Sequence, residues 1–415
     1  MQQPLNSFIF LRWIALSLAI GFIVGNIGAF FLSSLQLVTD FRDSHRSLIW
    51  GLPFAGFCIG YCYHRWGGTA VGGNNLLLEE YRDPQAIIPW KMAPLILFST
   101  LVTHLFGGSA GREGTAVQIG GSIADQFTKV FHLAIADRRI CLIAGIAAGF
   151  SAVFGTPAAA AIFALEVLWV GKNWYKALIP SFLSAYMAIY SCNLWDVAHT
   201  HYHIPELIPS FSASSMAYSL LAGIAFGLTA CLFARSQSFF SSLFTRWISY
   251  PPFRPLVGGL ILATIILYFG IYKYIGLGIP TIVASFSVAM ESYDFLLMLL
   301  FTTFTLAAGF KGGEVTPLFF VGATLGNILF GWIPLPMGLL AAMGFVAVFA
   351  GATHTPLACT IMGVELFGLP SVLYIAVACF TAYICSGNLG IYSSQKIGTP
   401  KRQLYEFLGI TKKAV

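Results

Sequence analysis

Between Val315 and Gln395 the chain carries a single Asp, Glu, Lys or Arg, the glutamate at position 365. A segment crossing the hydrocarbon of a bilayer needs about 20 mostly apolar residues. This stretch alone therefore holds apolar chain for several crossings, and no water-soluble fold keeps it in solution. Further apolar runs cover Phe8–Phe41, broken only by Arg12 and Asp40, then Ile140–Leu165, Leu207–Ala234 and Pro255–Tyr272. Charged residues make up 9% of the chain, against about 25% in soluble domains. The expected fold is an all-α polytopic membrane protein. In that setting the net charge of +6 points to cytoplasmic loops under the positive-inside rule and not to nucleic acid. Lys401, Arg402, Lys412 and Lys413 place the C-terminus in the cytosol, with the chain in the cell (inner) membrane. The first apolar segment is too long for the core of a cleaved signal and is expected to stay as an anchor.

The 42 glycines suit close helix packing and broken helices that line a polar cavity. Almost all of the eight cysteines lie in apolar segments, which makes them small buried hydrophobes. Cys58 and Cys62 lack a second pair, so no zinc site is expected. His199, His201 and His203 alternate within Asp196–Ser214, which reads, like Glu79–Lys91, as an extramembrane loop. No cofactor is expected.

The chain also repeats itself. Gly145-Ile-Ala-Ala-Gly-Phe-Ser-Ala-Val-Phe-Gly-Thr-Pro157 answers Gly344-Phe-Val-Ala-Val-Phe-Ala-Gly-Ala-Thr-His-Thr-Pro356, and each proline is followed nine residues later by a glutamate, Glu166 or Glu365. Upstream, Gly111-Arg-Glu-Gly-Thr115 answers Gly312-Gly-Glu-Val-Thr316, which makes Glu113 and Glu314 equivalent at a spacing of 201 residues. The expectation is one transport domain over 1–415, with halves of approximately 1–205 and 206–395 and a short cytosolic tail at 396–415. Duplicated halves are common in transporters, with the site between them at the N-termini of discontinuous helices. Spacing leaves open whether the repeats are parallel or inverted.

Ionisable groups at membrane depth are costly and mark function by default. Glu113 sits between glycines ahead of an uncharged helical run, where backbone N–H groups and the helix dipole favour an anion. It reads either as a cap paired with Arg112 or as a mobile carboxylate that competes with a bound anion; a cap that leaves on protonation is a gate. Glu314 occupies a similar junction, with Thr316 as a hydroxyl donor, Pro317 suited to a first turn, and Lys311 as a possible partner. Asn74 and Asn75 follow Gly72-Gly73 at a third glycine-to-helix junction, where an amide donates without adding charge. Glu166 and Glu365 are expected to be structural, bonding backbone or facing the subunit interior. His104 and His354 are expected to be hydrogen-bonded helix residues. An intramembrane enzyme is a remote alternative, because no helix carries His-x-x-x-His or an equivalent Asp pair.

These motifs resemble the CLC family of chloride channels and anion/proton antiporters over nearly the whole chain. Gly111–Gly114 resembles the family's gating-glutamate motif, and Gly313–Pro317 its second-half anion motif with Val315 in place of phenylalanine. Phe154–Pro157 and Thr353–Pro356 match its paired later motifs, and Tyr392 sits where the family's late tyrosine coordinates the central anion. The resemblance implies an inverted repeat of tilted, partly broken helices and a homodimer with one pathway per subunit. Four departures resemble the fluoride branch. Asn74 stands in place of the anion-facing serine and Thr115 in place of proline. Glu314 stands where an aliphatic residue is usual, and Val167 in place of the inner proton glutamate. The function implied is fluoride/proton antiport, with Glu113 as gate and proton carrier. Asn74, Asn75, Thr115, Thr316 and Tyr392 would bind the anion, and Glu314 would line its path or relay protons. A chloride/proton antiporter or a passive anion channel of the same fold is the alternative.

Overall fold

The computed structural model describes residues 7–168 and 174–395, together with Lys401 and Tyr405 in the tail. The calls on Arg402, Lys412 and Lys413 lie outside the described residues. Two long apolar helices, α1 (Ser7–Ser44) and α9 (Ala213–Trp247), open the two halves. Each is followed by a series of mostly shorter ones. In the first half these are α2 (Leu52–Cys62), α3 (Asn74–Arg82), α4 (Met92–Leu105), α5 (Glu113–Val130), α6 (Ile135–Phe154), α7 (Pro157–Val167) and α8 (Trp174–Asn193). The second half has α10 (Phe253–Phe269), α11 (Ile279–Ala284), α12 (Asp294–Ala307), α13 (Val315–Leu329), α14 (Met337–Thr353), α15 (Pro356–Phe367) and α16 (Val372–Cys385). Many of these fall short of the roughly 20 residues that span hydrocarbon. Their ends therefore lie at membrane depth, where every backbone N–H must find a partner inside the protein.

The contacts repeat as the sequence does. α5 packs on α6 as α13 packs on α14, α1 on α8 as α9 on α16, and α4 on α5 as α12 on α13. Glycines set the closeness of these pairs. A Cβ on Gly120 would run into the Gly145 carbonyl oxygen, and one on Gly322 into that of Gly344. This shared packing corrects the repeat register. The backbones of Gly111 and Gly313 pair antiparallel, with N–H···O distances of 2.5 and 2.8 Å in the two directions. α5 begins at Glu113 and α13 at Val315, with Arg112 and Glu314 as their N-caps. Glu113 is thus the counterpart of Val315, and Glu314 of Arg112; the two glutamates are not equivalent. The first half is three residues longer between its matched glycines, so the proline spacing downstream does not carry upstream.

The repeated glutamates behave as structural groups. Glu166, near the end of α7, accepts hydrogen bonds from the N–H groups of Leu357 (3.1 Å) and Ala358 (2.8 Å) at the start of α15. Glu365 on α15 accepts from Ala158 (3.0 Å) and Ala159 (2.8 Å) at the start of α7. Each half thus satisfies the exposed helix start of the other, which answers the demand for N–H partners. The loop between α3 and α4 is pinned by a buried ion cluster. Arg138 pairs with Asp125 at 2.7 Å and Glu80 at 3.1 Å, and both carboxylates accept loop N–H groups.

Candidate functional site

Three helix N-termini converge where the halves meet: α3 after Gly73, α5 after Arg112 and α13 after Glu314. Gly73 makes the turn into α3 with φ of +57°, a backbone state that favours glycine. Asn74 then lies 8% exposed, with its carboxamide nitrogen 3.1 Å from where a Cβ on Gly114 would stand. The same point is 3.0 Å from the Gly313 Cα and 3.5 Å from one Glu314 carboxylate oxygen. Gly114 is therefore the seat around which Asn74, Gly313 and Glu314 gather, and a side chain there would fill the space between them.

Glu113 is buried, and at the start of its own helix it accepts only a long 3.3 Å bond from the Arg112 N–H. Its carboxylate reaches across to α13, accepting from the Thr316 N–H at 3.1 Å and the Thr316 hydroxyl at 2.7 Å. Arg112 Nε stands 3.6 Å from the carboxylate. A negative group thus sits on a helix start between a hydroxyl, a backbone N–H and a guanidinium, the donor set an anion would use. Glu314 accepts from Gln237 of α9 at 3.3 Å, while its other carboxylate oxygen is buried without a partner among the described residues. The Asn74 carbonyl oxygen is also buried and has no partner among the described residues.

The remaining sequence candidates distribute as follows. Tyr392 is buried, within electrostatic reach of both Glu314 and Glu113. Thr115 pairs its hydroxyl with that of Thr100 of α4 at 2.8 Å. Asn75 accepts from the Ser394 N–H at 3.1 Å, tying α3 to the segment after Tyr392. Lys311 does not ion-pair with Glu314. Its ammonium lies 4.2 Å from the Tyr63 ring centroid, where a cation is attracted by the aromatic face. His104 also departs from expectation: it is fully buried and neither ring nitrogen has a hydrogen-bond partner among the described residues. Among the described residues His354 is bonded through Nδ1 alone, and it ends α14 in a left-handed conformation with φ of +56°. His199 bonds the Ala152 carbonyl at 2.9 Å.

Two participants escaped the sequence reading, Gln237 and Gln118; the Gln118 carboxamide lies beside Gly73. Each is a lone amide inside a helix, with no spacing or flanking glycine to mark it. On one side of Glu113 a cavity of about 430 Å³ is lined by Arg42, Asp43, Lys273 and Thr200, with Arg112 in its wall. Arg112 thus belongs both to this cavity and to the Glu113 ion pair.

A family model described as voltage gated chloride channel matches residues 55–387. A chloride/fluoride channel protein of Pseudomonas syringae pv. tomato is 48% identical over 94% of this chain and 87% of its own length. The H(+)/Cl(-) exchange transporter ClcA of Vibrio cholerae serotype O1 is 26% identical over 85% of this chain and 81% of its own. Among solved structures, a CLC-type fluoride/proton antiporter superposes with a TM-score of 0.91 at 35% identity, covering 95% of this chain and all of its own. A slow cyanobacterial Cl-/H+ antiporter superposes with a TM-score of 0.77 at 18% identity over the full length of both, which speaks for the fold alone. The architecture is a multi-pass, all-α inverted repeat of tilted and broken helices. On its motifs, its paired helix starts and these likenesses, the chain belongs to the voltage-gated chloride channel (CLC) family.

Proposed function

We propose that this protein exports fluoride in exchange for protons, and that Glu113 is both its gate and its proton carrier. The observation that carries the reading is the Glu113 carboxylate on the Thr316 N–H and hydroxyl of the opposite half. As an anion, the carboxylate occupies donors that fluoride needs. Protonation removes its charge and weakens those bonds, so proton arrival and site vacancy are one event. Fluoride is small and tightly hydrated, and a site that takes it needs compact, strong donors in place of water. Asn74, the Thr316 hydroxyl, Tyr392 and the backbone N–H of Thr115 supply them, with the Asn75 amide at the rim. Glu314, with one oxygen unpartnered among the described residues, lines the anion path or relays the proton.

The transport unit is one domain, with halves of about 1–205 and 206–395. It works as a homodimer in the cell membrane with a cytosolic C-terminus, and the exposed Leu357, Leu373 and Phe380 offer apolar surface for the partner. It moves ions and alters no covalent bond. The Pseudomonas relative's description as a chloride/fluoride channel protein favours a second reading, passive conduction of both halides. One assay separates them. In liposomes holding purified protein, a fluoride electrode and a pH electrode should record fluoride efflux with stoichiometric proton uptake. Fluoride movement without protons would establish the channel, and equal rates for chloride would remove the fluoride assignment.

A further inference from the structure

The tail carries a cation into the protein interior. Lys401 is 1% exposed, and among the described residues no carboxylate lies within ion-pairing distance of it. Its ammonium instead bonds His354 Nδ1 at 3.1 Å and the Ser386 hydroxyl at 3.1 Å, with the Tyr383 ring centroid 4.3 Å away. When protonated the Lys401 amine only donates, and in that form His354 Nδ1 accepts and its proton sits on Nε2. That orientation turns the other edge of the ring toward Gly390. A Cβ there would stand 3.1 Å from His354 Cδ2, 3.2 Å from Nε2 and 2.9 Å from the Ala352 carbonyl oxygen. Glycine therefore lets this segment lie against the imidazole. One residue on, the Ile391 N–H bonds the Ala352 carbonyl at 2.9 Å, and the next residue is Tyr392.

We infer that Lys401, acting through His354, is a positioning residue that holds the Ser386–Tyr392 segment and so fixes the Tyr392 hydroxyl at the anion site. The ammonium joins the end of α14, at His354, to the first residue of that segment, Ser386. Both ends of the Tyr392 support are thereby held by one tail side chain. This offsets the burial of a cation that lacks a carboxylate. The left-handed His354 is part of the device, since that backbone turn is what aims the ring at Gly390.

The inference rests on the anion-transport reading, and the test keeps the two apart. Reconstituted wild type, Lys401→Met, Tyr392→Phe and the double variant are assayed for the KM and maximal rate of fluoride, with chloride in parallel. Each single variant should raise the KM about fivefold, and the double variant about fivefold and not twenty-five-fold, because residues acting through one contact are non-additive. The maximal rate and the proton-to-anion ratio should move little in Lys401→Met. A KM unchanged in Lys401→Met, or multiplied in the double variant, overturns the inference. If Lys401→Met does not fold, His354→Leu replaces it in the same cycle. A wild type that carries chloride and not fluoride overturns the fluoride assignment instead, and the cycle is then read with chloride.

Discussion

Glu113 spends its hydrogen bonds on Thr316 of the other half, so its charge state and the grip between the halves are one variable. Glu113→Gln keeps the shape and removes the titratable group. The proton-to-fluoride ratio in vesicles should fall to about zero, with fluoride movement slowed or uncoupled, since a neutral amide cannot take up and release the proton that alternates the site between the carboxylate and fluoride. Wild-type coupling in that variant would refute the gate. Selectivity belongs to the same scale. Asn74 and Glu314 both face the Gly114 seat, so Asn74→Ser with Glu314→Ile should improve the chloride-to-fluoride ratio by about tenfold, the range a pair of site groups commands. Fast transport with unchanged discrimination would place selectivity elsewhere. The sequence exposed Glu113, Glu314 and Asn74 because a charge or amide after glycine at a helix start has few other reasons to exist. It hid Gln237 and Gln118, whose partners are far away in the chain and whose neighbours carry no pattern. It could not show which way Thr115 and Lys311 turn, because the direction of a side chain is fixed by packing and not by residue type: Thr100 and Tyr63 meet them.

At the scale of elements, α7 and α15 hold one another by their ends. Removing one carboxylate oxygen as acceptor leaves a helix-start N–H without a partner, at a cost of about 1–3 kcal/mol. Glu166→Gln and Glu365→Gln should each lower the thermal midpoint and yield in detergent while leaving the exchange ratio of the surviving protein unchanged. A stable Glu166→Gln that moves fluoride without protons would make Glu166 the inner proton acceptor. Val167 is 3% exposed within the apolar core, and its carbonyl accepts from Gln395 at 3.3 Å. Val167→Glu should therefore cost stability by desolvation and leave coupling no better, as the same flux measurement would record. The sequence made the pairing of these glutamates legible through their equal distance from Thr-Pro. It could not give the register at the front of α5 and α13. The three-residue difference between halves lies across the α5–α6 and α13–α14 connections, where helix ends and turn lengths shift together and no matched motif marks the change.

At the scale of the whole molecule, glycine sets how closely the helices within each half approach. Gly322→Val would drive a side chain into the Gly344 carbonyl and should abolish folded protein on size-exclusion chromatography. Gly331→Ala, whose Cβ would meet nothing nearer than the Ile328 oxygen at 3.7 Å, should behave as wild type. Exchange also makes a thermodynamic demand on the intact vesicle: reversing the imposed proton gradient should reverse the direction of net fluoride movement, which a channel without coupling would not do. The reciprocal carboxylate caps bear on how such a chain is made. The start of α7 takes its partner from Glu365, 207 residues later than Ala158. While a ribosome is still threading that interval into lipid, the completed first half holds a helix start whose donors face no acceptor. A translation intermediate stalled before residue 365 should therefore be sensitive to proteases and bound by membrane chaperones, and one stalled a helix later should not.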